Sequence, residues 1–220
     1  MVFCNDVDLL YWEPDVLKEA AFASQTLDSG TGNLAGTLFT VITGSVFSAQ
    51  RVEPGQVIVL SGAVAGCFAI VDLPESFRLH ISVLNDDFFP QSGAPPALVA
   101  PAESATGLNF VIRTFWAQRR VVSDMLVQAI GLVPGAAETE AAVILNPQAL
   151  RRACVLGTLQ MIYSAIAAAA DEPARFSVRA DLYERLYRRA LRQAQVDLDL
   201  DGDGRADARR SPGLLRMTRA

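Results

Sequence analysis

The hydrophobic period of this chain changes twice, and that change limits its fold more than any single motif does. From about Leu34 to Phe115 apolar residues recur at every second position, in the runs "GTLFTVIT", "QVIVLSG", "GCFAIVDL", "FRLHISVL" and "LNFVIRTF". Alternation of this kind, rich in β-branched and aromatic residues, belongs to strands with one buried face. Turn signals separate the runs: "EPGQ" at 53–56, "SGAVAG" at 61–66 and "DLPES" at 72–76. On either side of this region the apolar spacing becomes three and four, the period of a helix with one buried stripe. Five strands of that length predict a small antiparallel β-barrel or sandwich. The expected class is therefore α+β: a helical bundle interrupted by a β-rich insertion.

The flanking segments divide further. Residues 5–27 carry a helical stripe of Leu9, Leu10, Val16, Leu17, Ala20, Ala21 and Ala23, broken at Pro14. The residue before a proline avoids the α region, so a short helix and a longer one starting at Pro14 are expected. "DSGTGN", residues 28–33, reads as a loop, and Asn85 to Gly107 as a long Pro/Gly/Ala loop. Beyond Arg113, "WAQRRVVSDMLVQAIGL" places Val121, Met125, Leu126, Ala129 and Ile130 on one side, with Gly131 and Pro134 as stops. Asn146 and Pro147 open a helix running to about Ala170. A last amphipathic helix follows, with Leu182, Leu186, Ala190 and Ala194 spaced by four and Tyr183, Tyr187 and Leu191 alongside. The expected organisation is 1–33 as N-terminal helices of the bundle, 34–115 as the insertion, 116–196 as the bundle core, and 197–220 as a polar loop and docking tail.

Composition removes several kinds of chemistry. His80 is the only histidine, so a histidine-dependent triad or transition-metal site has one residue to draw on. Cys4, Cys67 and Cys154 lie far apart with no C-x-x-C, which argues against a disulfide framework or zinc site and suits a reducing compartment. The N-terminus turns acidic at once, which predicts no secretory leader. "ACVLGTLQMIYSAIAAAA" has the length of a membrane span, but its alanine content, Gln160 and the adjacent Arg151 and Arg152 favour a helix buried by protein. "SGAVAG" is a turn rather than a nucleophile elbow, and "GTGNLAG" lies in the wrong context for a dinucleotide loop. The acidic pairs Asp86/Asp87 and Glu138/Glu140 read as solvated loop residues, and the paired arginines 119/120, 151/152 and 188/189 as helix faces. No catalysis is expected. Charge is uneven: residues 1–110 are net −9 and residues 111–220 net +4, a polarity suited to contacts between copies.

One stretch resembles a metal loop. In "DLDLDGDGRAD" a calcium-loop register starting at Asp199 puts Asp201 at position 3, Asp203 at 5, Gly204 at 6, Arg205 with its carbonyl at 7 and Asp207 at 9. Position 12, where a bidentate acid belongs, is Arg210. The alternative is a polar turn in which Gly202 and Gly204 let the chain double back while the aspartates stay wet, and this is the favoured reading. Calcium is the one cofactor left open, at millimolar affinity.

Taken in order, "DVDLLYWEPDVLKEAAFASQTL", "FSAQRVEPGQVIVLSG", "FVIRTFWAQRRVVSDMLVQAIGL", "NPQALRRACVLGTLQMIYSAI" and "DLYERLYRRALRQAQVDLDLDGDGRAD" resemble the head–tail adaptor (connector) proteins of tailed bacteriophages. The resemblance implies a virion structural protein of the neck, made in the host cytoplasm. It would be a homo-oligomeric ring of twelve copies under the portal protein, meeting a downstream tail or neck protein. Genomic DNA would pass through the channel without sequence-specific binding, and no membrane would be involved. The β-rich insertion departs from the smaller, mostly helical members. Leu214, Leu215, Arg216, Met217 and Arg219 are expected to form a portal-docking tail that orders on its partner, the alternative being a disordered terminus. A tail terminator and a calcium-binding structural or regulatory module are the competing readings.

Overall fold

The structure is a computed structural model, and it describes residues 1–47, 51–84, 97–135, 143–169 and 173–213. Its chain divides into two compact units: Asp6–Phe115, and Met1–Asn5 together with Trp116–Ala220. The class is α+β with a closed six-stranded antiparallel barrel.

The first unit begins with two short helices, α1 (Asp6–Trp12) and α2 (Val16–Glu19), and a 3-10 turn at Ala23–Gln25. Six strands follow: β1 (Thr26–Ala35), β2 (Leu38–Thr43), β3 (Val57–Ser61), β4 (Gly66–Glu75), β5 (Arg78–Ser82) and β6 (Ser104–Arg113). They run around the barrel in the order β1-β2-β5-β4-β3-β6, and β6 pairs back onto β1. Closure leaves no open sheet edge. Alternate residues point inward, as the period of two requires: Ile58 and Leu60 on β3, Leu79 and Ile81 on β5, Leu108, Phe110 and Ile112 on β6. Phe110 sits at the centre, edge-on to Phe39 at 5.4 Å and to Phe47 at 6.2 Å between ring centroids.

Two expectations fail in this unit. Residues 28–33 are strand, not loop, and they supply the barrel's first staves. Their glycines are there for close approach: a Cβ at Gly30 would fall on the Thr43 carbonyl oxygen, and one at Gly32 on the Phe39 ring. The register also shifts between Thr31 and Gly32, a bulge that bends the strand toward closure. Second, the helix expected from Pro14 to Leu27 is a single turn. The chain leaves it at Ala20, and Gln25 then accepts the Thr114 backbone N–H, so tertiary pairing overrides the local helix preference. These N-terminal helices belong to the barrel's compact unit.

In the second unit lie α3 (Trp116–Ala129), α4 (Gln148–Ala169), α5 (Pro173–Gln193) and a small hairpin of β7 (Val196–Leu198) and β8 (Ala208–Arg210). Helix α4 is central: every residue from Ala153 to Leu159 is buried, between α3 on one side and α5 on another. Its Tyr163 ring stacks on Tyr183 of α5 at 5.7 Å, and the Arg179 guanidinium both lies over that ring and donates to its hydroxyl at 2.9 Å. Among the described residues this is the one helix long and apolar enough to cross a membrane; just over half of its apolar window is buried within the protein.

The expected faces of α3 and α5 hold in part: Leu126 and Ile130, and Tyr183, Ala190 and Ala194, are buried, whereas Val121, Met125 and Leu182 are exposed. Helix α3 turns Arg119, Val122, Ser123, Leu126 and Val127 inward, while Val121 and Met125 face out. Helix α5 buries Ala180, Tyr183 and Ala190 and leaves Leu182 and Val178 exposed. Inward placement of Arg119 is stabilised by its hydrogen bond to the Cys4 carbonyl, 2.9 Å, a partner 115 residues away in sequence.

Candidate functional site

The aspartate stretch is the tip of the β7–β8 hairpin. Pairing runs Val196 with Arg210, Asp197 with Arg209 and Leu198 with Ala208. The hairpin is tied down at both strands. On the β7 side, Ile144 forms a bridge to Leu198, the Leu145 N–H donates to the Asp197 carbonyl at 3.0 Å, and Asp199 N–H donates to the Val143 carbonyl at 2.9 Å. Asn146, expected as a helix cap, turns its side chain to β7 instead: Oδ1 accepts the Asp197 N–H at 2.8 Å and Nδ2 donates to the Gln195 carbonyl at 3.2 Å. Asp197 also pairs with Arg209 across the hairpin, 2.6 Å.

On the β8 side the tie is Arg210. Helix α3 ends with Gly131 at φ +79°, the Gly131 N–H on the Gln128 carbonyl and the Leu132 N–H on the Val127 carbonyl. That is a Schellman closure, and it leaves the Ile130 carbonyl facing outward. Arg210 Nη1 donates to this oxygen at 2.6 Å, setting a cation on the negative end of the helix. The residue at loop position 12 therefore points to α3, not into the loop.

Within the loop, Asp199 is buried and organises the turn. Its Oδ1 accepts the Gly202 N–H at 2.7 Å and its Oδ2 the Gly204 N–H at 2.8 Å. Both glycines sit at positive φ, +83° and +81°, which lets the backbone curl over one carboxylate. Amide donation, from Gly204 first and then Gly202 and Asp203, holds the Asp199 carboxyl below the usual carboxylate range, although burial acts the other way. Asp207 Oδ2 accepts from Leu200 at 2.7 Å and Asp201 at 3.2 Å. Carboxylate oxygens of Asp199, Asp201 and Asp207 thus come within 4.8 Å of one another.

Three of the five expected ligands, those at positions 1, 3 and 9, therefore converge. Asp203 does not join them; its Oδ1 accepts the Arg205 N–H at 2.8 Å. The helix–loop–helix frame of a calcium hand is replaced by strand–loop–strand. Chemically, the loop is a set of carboxylates satisfied by its own amides, able to hold a hard cation only through the oxygen lone pairs that remain. The expected docking residues Leu214, Leu215, Arg216, Met217 and Arg219 lie outside the described residues.

His80 stands on β5 with Nδ1 3.3 Å from the Thr37 hydroxyl, a structural pairing within the barrel. Sequence reasoning missed the meeting of Cys4 with Cys154, and no spacing rule would have found it. Comparison of the chain with protein-family models, with curated proteins and with solved structures gives no match.

Proposed function

We propose that the chain is a head–tail adaptor of a tailed bacteriophage, acting by shape and contact rather than by bond-making. In this reading copies close into a ring of twelve under the portal, extend the DNA channel, and meet a downstream tail or neck protein. The finer fold reading, a helical bundle interrupted by the barrel, belongs to the same proposal. It is supported by the path of the chain: Met1–Asn5 groups with Trp116–Ala220, and the barrel unit is spliced between them.

The observation that carries assembly is a set of outward apolar side chains on the helices. Val121 and Met125 on α3 are 47% and 48% exposed, and Val178 and Leu182 on α5 are 68% and 43% exposed. Each pair is spaced by four, so each forms a ridge on its helix. A second copy is the occupant that fits. The unit Asp6–Phe115 carries four basic and twelve acidic residues, net −8, and the remainder of the chain is net +3. Unlike surfaces on one molecule are what a heterologous, ring-closing contact needs.

The test is assembly with purified portal protein, read by negative-stain microscopy and light scattering. Rings are expected from the natural chain and not from Met125→Glu or Leu182→Glu. Unchanged rings from both variants would remove these ridges from the interface. Deleting residues 214–220 spares Ser211, which donates to the Leu191 carbonyl, and is expected to abolish portal binding. Portal binding at full strength after that deletion would end the docking role of the tail.

A second reading, a calcium-binding module, has one observation in its favour, the convergence of Asp199, Asp201 and Asp207. Calorimetric titration with millimolar calcium decides it: no heat and no change in melting temperature would remove it.

A further inference from the structure

Cys4 and Cys154 are 150 residues apart in sequence, yet their Sγ atoms lie 2.7 Å apart in the interior of one unit. Two thiols this close need little movement to reach the covalent separation of about 2.0 Å. Both are buried. The surrounding contacts fix their approach. The Phe3 N–H donates to Ser123 Oγ at 3.2 Å, and that hydroxyl lies 3.4 Å from Cys154 Sγ. Arg119 holds the Cys4 carbonyl, and Thr158 holds the Cys154 carbonyl at 2.8 Å. The segment Met1–Asn5 is thus seated on α3 and α4 with its cysteine aimed at the partner sulfur.

We propose that Cys4 and Cys154 are a redox pair that closes to a disulfide by exchange with a small-molecule disulfide such as oxidised glutathione. Cys4 lies in a segment without regular secondary structure, so local opening of residues 1–5 exposes it while α4 stays folded. Its thiol gives its proton to solvent and the thiolate attacks oxidised glutathione. A Cys4–glutathione disulfide forms and one glutathione thiolate leaves. When the segment reseats, the Cys154 thiolate attacks the Cys4 sulfur, forms the intramolecular bond and expels the second glutathione thiolate. The two departing thiolates take up the two protons released. The chain loses two electrons and two hydrogens, and one glutathione disulfide becomes two glutathione thiols.

The chemistry of the site supports these roles. Hydrogen bonding from Cys4 first, then from Ser123, Phe3 and Thr158, lowers the Cys154 thiol against the opposing effect of burial; the contacts of Ser123, Phe3 and Thr158 do not depend on the Cys4 proton and favour the thiolate once Cys4 carries glutathione. Burial pushes the Cys67 thiol up, so a smaller share of it is thiolate. The crosslink would also span the whole inserted unit, tying the residues that precede the barrel to α4. Closing so long a loop removes much of the freedom of the unfolded chain. A virion surface is an oxidising location where such a bond persists, but the pair's chemistry does not depend on the adaptor reading.

The test uses the purified full-length chain in glutathione buffers of rising oxidation, quenched by alkylation under denaturing conditions and read by intact mass and peptide mapping. The expected result is a linked Cys4–Cys154 peptide, a single alkylated thiol at Cys67, reversal by dithiothreitol, and a melting temperature about 10 °C higher when oxidised. Cys67→Ser should keep this response and Cys4→Ser should lose it. Three alkylated thiols at full oxidation, a lasting glutathione adduct on Cys4, or a bridge that uses Cys67 would each overturn the proposal. None of these measurements involves portal or ring formation, so they stand apart from the assembly tests.

Discussion

Replacing Arg210 with glutamate separates what the loop's spacing suggests from what its geometry does. By spacing, Arg210→Glu completes a calcium loop, because it puts the missing bidentate acid at position 12. By geometry it does the opposite. Position 12 lies on β8, paired with Val196, and its side chain reaches the C-terminal end of α3. The natural arginine makes a charged hydrogen bond to the Ile130 carbonyl there, worth about 1.5 to 3 kcal/mol. A cation at a helix C-terminus adds roughly 0.5 kcal/mol. Arg210→Met keeps the aliphatic stem and removes both effects, for a loss of about 2 kcal/mol. Arg210→Glu loses the same and adds an anion facing carbonyl oxygens, a further cost of about 1 kcal/mol.

The assay is urea unfolding followed by far-UV circular dichroism, whose signal comes mainly from α3, α4 and α5, with and without millimolar calcium. The expected order of stability is Arg210, then Met, then Glu, unchanged by calcium. A glutamate variant that calcium lifts above the methionine variant would refute the reasoning. It would mean that the hairpin can re-aim position 12 inward, and that the Arg210–Ile130 contact is incidental to the loop's shape.

Other perturbations follow from the same structure. Asp199→Asn should lower the melting temperature at neutral pH. Because the folded carboxyl is held below its ordinary value, its contribution is fully present above about pH 4 and is lost as pH falls further; the gap between variant and natural chain should therefore close in acid, and a gap that widens there would reverse the assignment. Asp6 is fully buried and accepts the Phe115 N–H at 2.9 Å and the Thr114 hydroxyl at 2.7 Å, so Asp6→Ala should cost about 3 kcal/mol and Asp6→Asn about 1. Trp12 fluorescence in a Trp116→Phe background reads that loss in the barrel's unit alone. Gly30→Ala should cost about 3 kcal/mol, since the obstacle is the Thr43 backbone and not a movable side chain; a urea midpoint within error of the natural chain would show that β1 can give way.

How much of this was legible in the sequence depends on whether the deciding partner was local. Five of the barrel strands followed from a period of two, and α3, α4 and α5 from a period near 3.6, because side-chain direction in a strand or helix is set by the backbone alone. The first strand was missed for a specific reason. Gly30 and Gly32 serve contacts with Thr43 and Phe39 on the neighbouring strand, and the same residues in isolation are the signature of a loop. The inward face of α3 was read only in part: Leu126 and Ile130 are buried as expected, but apolar residues lie on two sides, and Arg119, read as a surface residue, is buried with its guanidinium on the Cys4 carbonyl. Asn146 has the sequence context of a helix cap, yet β7 takes its side chain.

The aspartate loop joins both cases. Its glycines and the acceptors at positions 1, 3 and 9 were readable, because an Asx-type turn closes within a few residues. Position 12 was not, since its side chain is claimed by a helix terminus 80 residues earlier. The last position of this loop is therefore not aimed at a ligand role, because Arg210 has its partner on α3, while the carboxylates of Asp199, Asp201 and Asp207 converge and keep lone pairs beyond those their amides use. The same logic extends to assembly. Val121, Met125, Val178 and Leu182 lie on helices whose inward faces are filled by other residues. In the proposed assembly a second copy covers them, and the ring measurement decides that.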